Sequence, residues 1–292
     1  MMSSGVLDVV IAPGNPDFDA NGVARPPEDY SYEFVGGAET WNQLESGTHP
    51  AGWTLVEDKS SIEALMTGPV PSKLLVVPEV EQTLQFYRSG FCEAIDFTTC
   101  VDPPGETPPI ETVPTLETMT KVGLNAVDEN PEGFFLMIEG GAVDWAMHSI
   151  DYGRMIEEMV DFNKSVDAVA SYLDADTNGN NWDNTLVLVT ADHDHFLFGP
   201  DSDTVAFQPV QDNGPGVMPG GKFPVGGHSS QLVPVYARGP GSELLSEFAD
   251  QLDSYSYREV EYGRGLYLDQ TEIFQTMDQA MGFVPDGDVN AD

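Results

Sequence analysis

The sequence predicts an α/β fold with a mostly parallel central sheet and helices on both of its faces. Apolar runs such as Thr185–Thr190 have the length of buried strands, and helical stretches separate these runs along the chain. This alternation is typical of parallel sheets, because each parallel connection has to cross over the sheet. We expect a single domain over 1–292, with an insertion-like variable region at 17–110 and a core at 113–283.

Five segments are predicted as strands. Gly5–Gly14 runs into a turn, Ser72–Val80 is short, and Gly133–Gly141 is a continuous apolar run closed by glycines. Thr185–Thr190 is equally apolar, and a further strand lies within Gln231–Ser242. Since several of these runs do not alternate between apolar and polar residues, we expect strands that are buried on both faces.

Three helices are predicted from apolar spacing and end signals. Thr115–Asn130 follows Pro114, a residue that commonly precedes a helix. From Met155 to Leu173, apolar residues recur at alternating spacings of four and three, which forms one face of a long amphipathic helix. Asp269–Phe283 is predicted as the last helix.

The charge balance is strongly acidic. The chain has 49 acidic and 11 basic residues, a net charge of −38, which disfavours nucleic acids and anionic membranes as partners. Such a surface suits high salt, so we expect a halophilic or marine source. No window holds the ~20 apolar residues of a membrane span. The start, "MMSSGVLDVV", lacks the features of a signal peptide.

The two cysteines, Cys92 and Cys100, leave two interpretations open. They can form a disulfide in an oxidising compartment or remain two buried thiols.

Chemically active side chains follow the predicted strands. Glu139 comes directly after one apolar run, and Asp192 and His193 come just after another. In open α/β sheets, ligands bind beyond the carboxyl ends of the strands. These residues are therefore candidates for a functional site.

A metal site is predicted from the neighbouring residues. Asp144 and His148 are four positions apart, so a helical turn places both on one face, where they can hold zinc or a similar ion. His228 follows two glycines and is a candidate third ligand. Separately, Asp174, Asp176 and Asn178 resemble the start of a calcium-binding loop, although a solvated turn explains them better.

Four segments together resemble the alkaline phosphatases. They are "VPTLETMTKVGLNAVDENPEGFFLMIEGGAVDWAMH", "DNTLVLVTADHDH", "GGHSSQLVPVYARGPGS" and "DQTEIFQTMDQAMG", in the family's order. The resemblance extends from Gly5 to Gly282 and is weak over Asp17–Ile110. It implies the family's fold and hydrolysis of phosphate monoesters through a phosphoserine intermediate, with two zinc ions and one magnesium ion as cofactors.

The resemblance also assigns metal ligands. It gives Asp144, His148 and His228 to a first zinc ion, Asp192 and His193 to a second, and Glu139 to magnesium. Their positions beside these ligands, and not the resemblance, make three more residues candidates for a place near the metals without binding them: His195, Trp145 and Arg154. For His195, a polar residue at a strand end without a role in the site is an equal alternative.

No catalytic residue is assigned. The family's nucleophilic serine and its phosphate-binding arginine have no counterpart in this sequence. Asp201-Ser202 and Asp253-Ser254 do not match the nucleophile motif. We therefore expect the C-terminal portion of an alkaline phosphatase, incomplete at its N-terminus, with an exposed sheet edge and a tendency to aggregate.

The full-length protein is expected to be periplasmic or secreted and to act on a small phosphate ester. The sequence leaves open whether the protein forms a homodimer. The alternatives are a superfamily relative that hydrolyses phosphodiesters or sulfate esters, and a non-catalytic acidic protein that binds metals.

Overall fold

The structure is a computed structural model, and it describes residues 5–92, 103–128, 130–254, 256–257, 260–261 and 265–282. Cys100 lies outside the described residues. The α/β class is confirmed, because a parallel sheet and several helices are present.

The described part of the chain forms seven α-helices and one 3-10 helix at Pro27–Asp29. The α-helices are α1 Ala38–Glu45, α2 Lys59–Ala64, α3 Leu116–Val127, α4 Ala142–His148, α5 Tyr152–Ala175, α6 Leu244–Phe248 and α7 Gln270–Ala280. None of these helices combines the length and apolar composition needed to cross a bilayer.

The strands in the same residues are short. They are β1 Val9–Ile11, β2 Thr54–Val56, β3 Leu74–Val76, β4 Val187–Val189, β5 Asp194–His195, β6 His228–Ser229, β7 Tyr236–Arg238, β8 Gln251–Asp253, β9 Ser256–Tyr257, β10 Val260–Glu261 and β11 Gly265–Tyr267.

The chain divides into two compact units. The first comprises Met1–Ser171 and His195–Gly227, and the second comprises Tyr172–Asp194 and His228–Asp292.

The first unit contains a three-stranded parallel sheet in the order β1-β3-β2. β3 is fully buried because it has a paired strand on each side. Its alternate residues enter different clusters, since successive side chains of a strand point to opposite faces. Leu74 packs with buried residues of α2 and α3, whereas Leu75 packs with Trp41 of α1. Helices therefore cover both faces of this sheet, as predicted.

Local signals explain where the predicted helices begin. The Thr115 side chain accepts a hydrogen bond from the Thr118 backbone N–H at 3.1 Å, which caps α3. At α7, Asp269 and Glu272 form a reciprocal capping box. The long helix predicted from Met155 is α5, which also includes the preceding turn.

A separate apolar cluster packs the end of α4 against the start of α5. Ala146, Ile150, Tyr152 and Phe223 are all buried in it. Ile150 connects the two helices with a φ of 58°. A β-branched residue rarely adopts this left-handed conformation, so the burial of its side chain has to offset the backbone strain.

The second unit contains a pair of strands, β4 and β7, that run antiparallel, with Leu188 opposite Ala237. This antiparallel pair lies beside the mostly parallel arrangement that the sequence predicts, because an apolar run shows burial and carries no information about strand direction. Gly239 follows β7, and a Cβ atom there would lie 2.0 Å from the Thr185 carbonyl oxygen. Only glycine allows this close approach.

The strand predicted within Gly133–Gly141 is not formed. Residues 134–140 have neither helix nor strand, and Phe135 and Met137 are 63% and 72% exposed. Leu136, between them, faces inward, since its Cδ1 lies 3.5 Å from the position of a Cβ on Gly123 of α3. One face of the run therefore packs, but a strand also needs a paired neighbour for its backbone groups.

Candidate metal centre

Helix α4 positions the first pair of candidate ligands. The fully buried Ala146 anchors the helix in the apolar cluster. Asp144 and His148 lie one turn apart, with Nε2 of His148 3.4 Å from Oδ1 of Asp144. The carboxylate and the imidazole therefore face each other along one side of the helix, as expected from their spacing.

His195 adds a second imidazole to the same carboxylate. Its side chain is buried, and its Nε2 lies 2.6 Å from Oδ1 of Asp144. The rings of His148 and His195 meet edge to face, with 4.9 Å between their centroids and 81° between their planes. Asp144 thus contacts two imidazoles, so three side chains that can bind metal ions lie together in the first unit.

The other ring nitrogen of His148 is also engaged. Nδ1 lies 2.8 Å from the carbonyl oxygen of Gly226. Because a carbonyl only accepts hydrogen bonds, Nδ1 carries the proton in this contact. Hydrogen bonding of one imidazole nitrogen to a carbonyl is the usual way in which proteins orient the other toward a metal.

The second unit holds a further group of candidate ligands. The rings of His193 and His228 stack, with 3.4 Å between centroids and 22° between planes. Each ring offers a ligand nitrogen, and these two atoms lie within 4.8 Å of each other. Oδ2 of the exposed Asp192 lies 3.3 Å from Nε2 of His193. Asp194 instead accepts a hydrogen bond from the Ser229 hydroxyl at 3.2 Å.

Glu139 is exposed and lies three residues before α4. Its carboxylate folds toward Gly141, where its Oε1 is 3.0 Å from the position that a Cβ would occupy. Within the described residues, Glu139 joins no group of three metal-ligating side chains. Its assignment to magnesium therefore stays a prediction from the family resemblance.

Backbone carbonyls hold the side chain of Arg154. It is buried in α5, and its guanidinium donates to the backbone carbonyls of Gln85 at 3.4 Å and Ser89 at 3.1 Å. Its own N–H donates to the Asp151 carboxylate at 2.9 Å, which caps the helix. Arg154 thus connects α5 by hydrogen bonds to the segment before Cys92.

In the loop that resembles a calcium-binding loop, around Asp174 and Asp176, the side chains form hydrogen bonds with one another. Asp174 accepts a hydrogen bond from the Trp182 indole at 2.7 Å, and Asp176 accepts one from the Asn181 side chain at 3.0 Å. These carboxylate oxygens thus already have protein donors, as expected for a solvated turn.

Two contacts at the site were not predicted from the sequence. They are the hydrogen bond from His148 to Gly226 and the packing of Trp145 against Tyr87. The Gly-Gly pair before His228 was a usable signal for the first, since glycine permits close backbone approach. The second joins residues that are far apart in sequence, and no local pattern reports it.

The fold and these side-chain groups define an α/β protein with donors suited to divalent metal ions. The sequence profile of the family described as "Alkaline phosphatase" matches residues 1–211. The chain therefore belongs to the alkaline phosphatase family.

Curated relatives match over parts of their length. Alkaline phosphatase H of Pseudomonas aeruginosa (strain UCBPP-PA14) is 29% identical over 150 residues, which are 49% of this chain and 30% of that protein. Alkaline phosphatase 3 of Bacillus subtilis (strain 168) is 36% identical over 81 residues, 28% of this chain and 16% of that protein. The matched part thus spans less than a third of these relatives.

Solved structures support the fold. The alkaline phosphatase of the Antarctic bacterium TAB5 has a TM-score of 0.53 and 19% identity, over 94% of this chain and 60% of that one. A TAB5 mutant described with magnesium bound in its M3 site has a TM-score of 0.54 and 18% identity, over 96% of this chain and 63% of that one.

Proposed function

We propose that this chain contributes divalent-metal ligands to an enzyme that hydrolyses phosphate monoesters. The observation that carries the proposal is the contact of the Asp144 carboxylate with the imidazoles of His148 and His195. Membership of the alkaline phosphatase family gives the reaction class.

The donor chemistry fits zinc, which takes imidazole nitrogens and carboxylate oxygens as ligands. Following the family resemblance, we assign Asp144 and His148 to one zinc ion, Asp192 and His193 to a second, and Glu139 to magnesium. His195 then holds the Asp144 carboxylate in place through its 2.6 Å contact rather than binding the first zinc itself.

The net charge shows why metal ions suit this chemistry. A chain of net charge −38 repels a phosphate anion, and bound divalent cations reverse the local field. When bound, such ions stabilise the charge that develops on phosphoryl oxygens during transfer. The hydrogen bond from His148 to Gly226 keeps one imidazole nitrogen directed to the ligand position.

The phosphoserine intermediate belongs to the same proposal, and we assign no residue of this chain as its nucleophile. We also propose a periplasmic or secreted location. The structure records Cys92 as disulfide-bonded, and disulfides persist in oxidising compartments.

The test compares Asp144→Asn with Asp167→Asn, a matched change at an exposed carboxylate of α5. Zinc affinity is measured by competition with a chromophoric chelator, and binding of inorganic phosphate is measured with and without zinc. We expect Asp144→Asn to weaken zinc binding at least about tenfold and to abolish zinc-dependent phosphate binding. Asp167→Asn should match the wild type.

Equal zinc affinity in both variants would contradict the assignment of Asp144. Hydrolysis assays with a chromogenic phosphate monoester, a phosphodiester and a sulfate ester then separate the reaction classes. Faster turnover of the diester or the sulfate would replace the monoesterase proposal.

A further inference from the structure

A cavity of about 250 Å³ lies at the start of α5. Gly153 and the buried Arg154, both from α5, line it together with Glu106 and Thr107, which precede α3 in the chain. No candidate metal ligand is among the described residues that line this cavity. Its volume is just below that of pockets for drug-sized ligands, and charged side chains line it, so it suits a small polar molecule.

Two carboxylates that line the cavity are engaged by the protein itself. Asp151 accepts two hydrogen bonds from backbone N–H groups, at 2.8 and 2.9 Å, one on each oxygen. Glu157 accepts one hydrogen bond from the buried guanidinium of Arg88 at 2.7 Å and one from the backbone N–H of Gly105 at 2.6 Å. Donors of the protein therefore offset much of the negative charge of these two groups.

Arg154 has donor capacity that its protein contacts do not use. A guanidinium carries five N–H donors. Arg154 directs one terminal nitrogen to the carbonyl of Gln85 and the other to that of Ser89, whereas its Nε–H makes no hydrogen bond within the described residues. The backbone N–H of Gly153, in the first turn of α5, also has no partner there, and such N–H groups attract anions. The cavity therefore offers donors to a carboxylate.

Glu106 contributes the opposite charge to the same cavity. Its side chain is exposed and forms no ion pair within the part of the chain that the structure describes. A simple anion in the cavity would be repelled by Glu106, and a simple cation would be repelled by the guanidinium of Arg154. A molecule that carries both charges finds an opposite charge for each of them.

We propose that this cavity binds a small α-amino acid in its zwitterionic form. The carboxylate of the ligand accepts hydrogen bonds from Nε of Arg154 and from the Gly153 N–H, and its ammonium group contacts the carboxylate of Glu106. Charge-assisted hydrogen bonds of this kind are about twice as strong as neutral ones. The inference goes beyond the proposed function, because it concerns neither metal binding nor ester hydrolysis.

The experiment measures binding of three small probes to the full chain by calorimetry. The probes are L-serine, 3-hydroxypropanoate, which lacks the ammonium group, and 2-aminoethanol, which lacks the carboxylate. The variants are Glu106→Gln, Arg154→Lys and, as a matched control, Glu111→Gln, at another exposed carboxylate between β3 and α3. Arg154→Lys keeps the positive charge and removes the Nε–H donor.

L-serine should bind the wild type at least about tenfold more tightly than either of the other probes. Glu106→Gln should weaken the binding of L-serine about three- to fivefold, as for an exposed ion pair, and should not weaken that of 3-hydroxypropanoate. Arg154→Lys should weaken the binding of L-serine about tenfold. Glu111→Gln should match the wild type with all three probes.

The inference is overturned if L-serine does not bind, if 3-hydroxypropanoate binds as tightly as L-serine, or if Glu106→Gln and Glu111→Gln bind L-serine equally. The second result would make the cavity a site for simple anions, and the third would remove Glu106 as the partner of the ammonium group. Because Glu106 is exposed, its substitution leaves the folded structure intact, and the test stays decisive even where Arg154→Lys unfolds the chain.

Discussion

The imidazole of His148 donates a hydrogen bond from Nδ1 to the carbonyl oxygen of Gly226, 2.8 Å away. The two residues are 78 positions apart in the chain. Gly226 also approaches the backbone of His148 so closely that a Cβ would lie 2.3 Å from the His148 carbonyl oxygen. One contact therefore orients the ring, and the other requires glycine.

Gly226→Ala should weaken zinc binding by about 10- to 100-fold, because the added methyl group displaces the carbonyl that orients His148. Zinc affinity is measured by chelator competition. Gly227→Ala is the matched control, since a Cβ there meets only Val225 at 3.8 Å. Equal affinities of the two variants would show that the hydrogen bond to Gly226 does not orient a metal ligand.

Glu158 predicts a pH dependence of stability. Burial raises the pKa of its carboxyl from 4.5 to about 7, and nearby Asp161 and Glu157 add to the rise. One of its oxygens is buried without a hydrogen-bond partner among the described residues. Between these two pKa values the folded chain keeps a proton that the unfolded chain releases. The contribution of Glu158 to the free energy of unfolding therefore falls as pH rises through this window.

Glu158→Gln should consequently be more stable than the wild type by about 2 kcal/mol near pH 8 and gain nothing near pH 4. Urea unfolding at both pH values measures the difference. Glu63→Gln, at an exposed position of α2, should show no such change between the two pH values. A constant difference between Glu158→Gln and wild type would contradict the assigned ionisation.

The extended run at 134–140 predicts self-association through its exposed face. Met137→Lys should raise the concentration at which the chain aggregates, because a charge on this face opposes pairing with another chain. Light scattering measures the concentration at which aggregation begins. Leu136→Lys is the comparison, and it should lose about 2 kcal/mol of stability because Leu136 packs against α3. Unchanged scattering in Met137→Lys would place the aggregating surface elsewhere.

Calcium should leave the melting temperature unchanged, since the carboxylates of Asp174 and Asp176 already accept hydrogen bonds from Trp182 and Asn181. Calorimetry with millimolar calcium, and magnesium as the reference, tests this. A melting temperature that rises with calcium in the wild type, but not in Asp176→Asn, would show that the loop binds calcium.

The sequence predicted those features that depend on local spacing. The helices α3 and α5 follow from apolar periodicity, and the facing of Asp144 and His148 follows from their spacing within α4. Features that depend on tertiary neighbours were less accessible. The run within Gly133–Gly141 has the composition of a buried strand, but composition cannot supply the paired backbone that a strand requires.

The same limit applies to the candidate site. His195 was predicted near the metals without a named partner, and its contact with Asp144 joins residues 51 positions apart. Arg154 was predicted near the metals because it follows His148 closely, and that prediction did not include the hydrogen bonds of its guanidinium to the carbonyls of Gln85 and Ser89. Proximity in sequence did not determine the direction in which either side chain points.

The left-handed backbone of Ile150 has a consequence for the order of events during heating. Because Ile150 keeps this conformation only while its side chain stays buried beside Phe223, α4 can relax as soon as that cluster loosens. Relaxation of α4 separates Asp144 and His148 before the sheet β1-β3-β2 melts. Ion release would then precede global unfolding, and added zinc would raise the temperature of this early transition rather than that of the sheet.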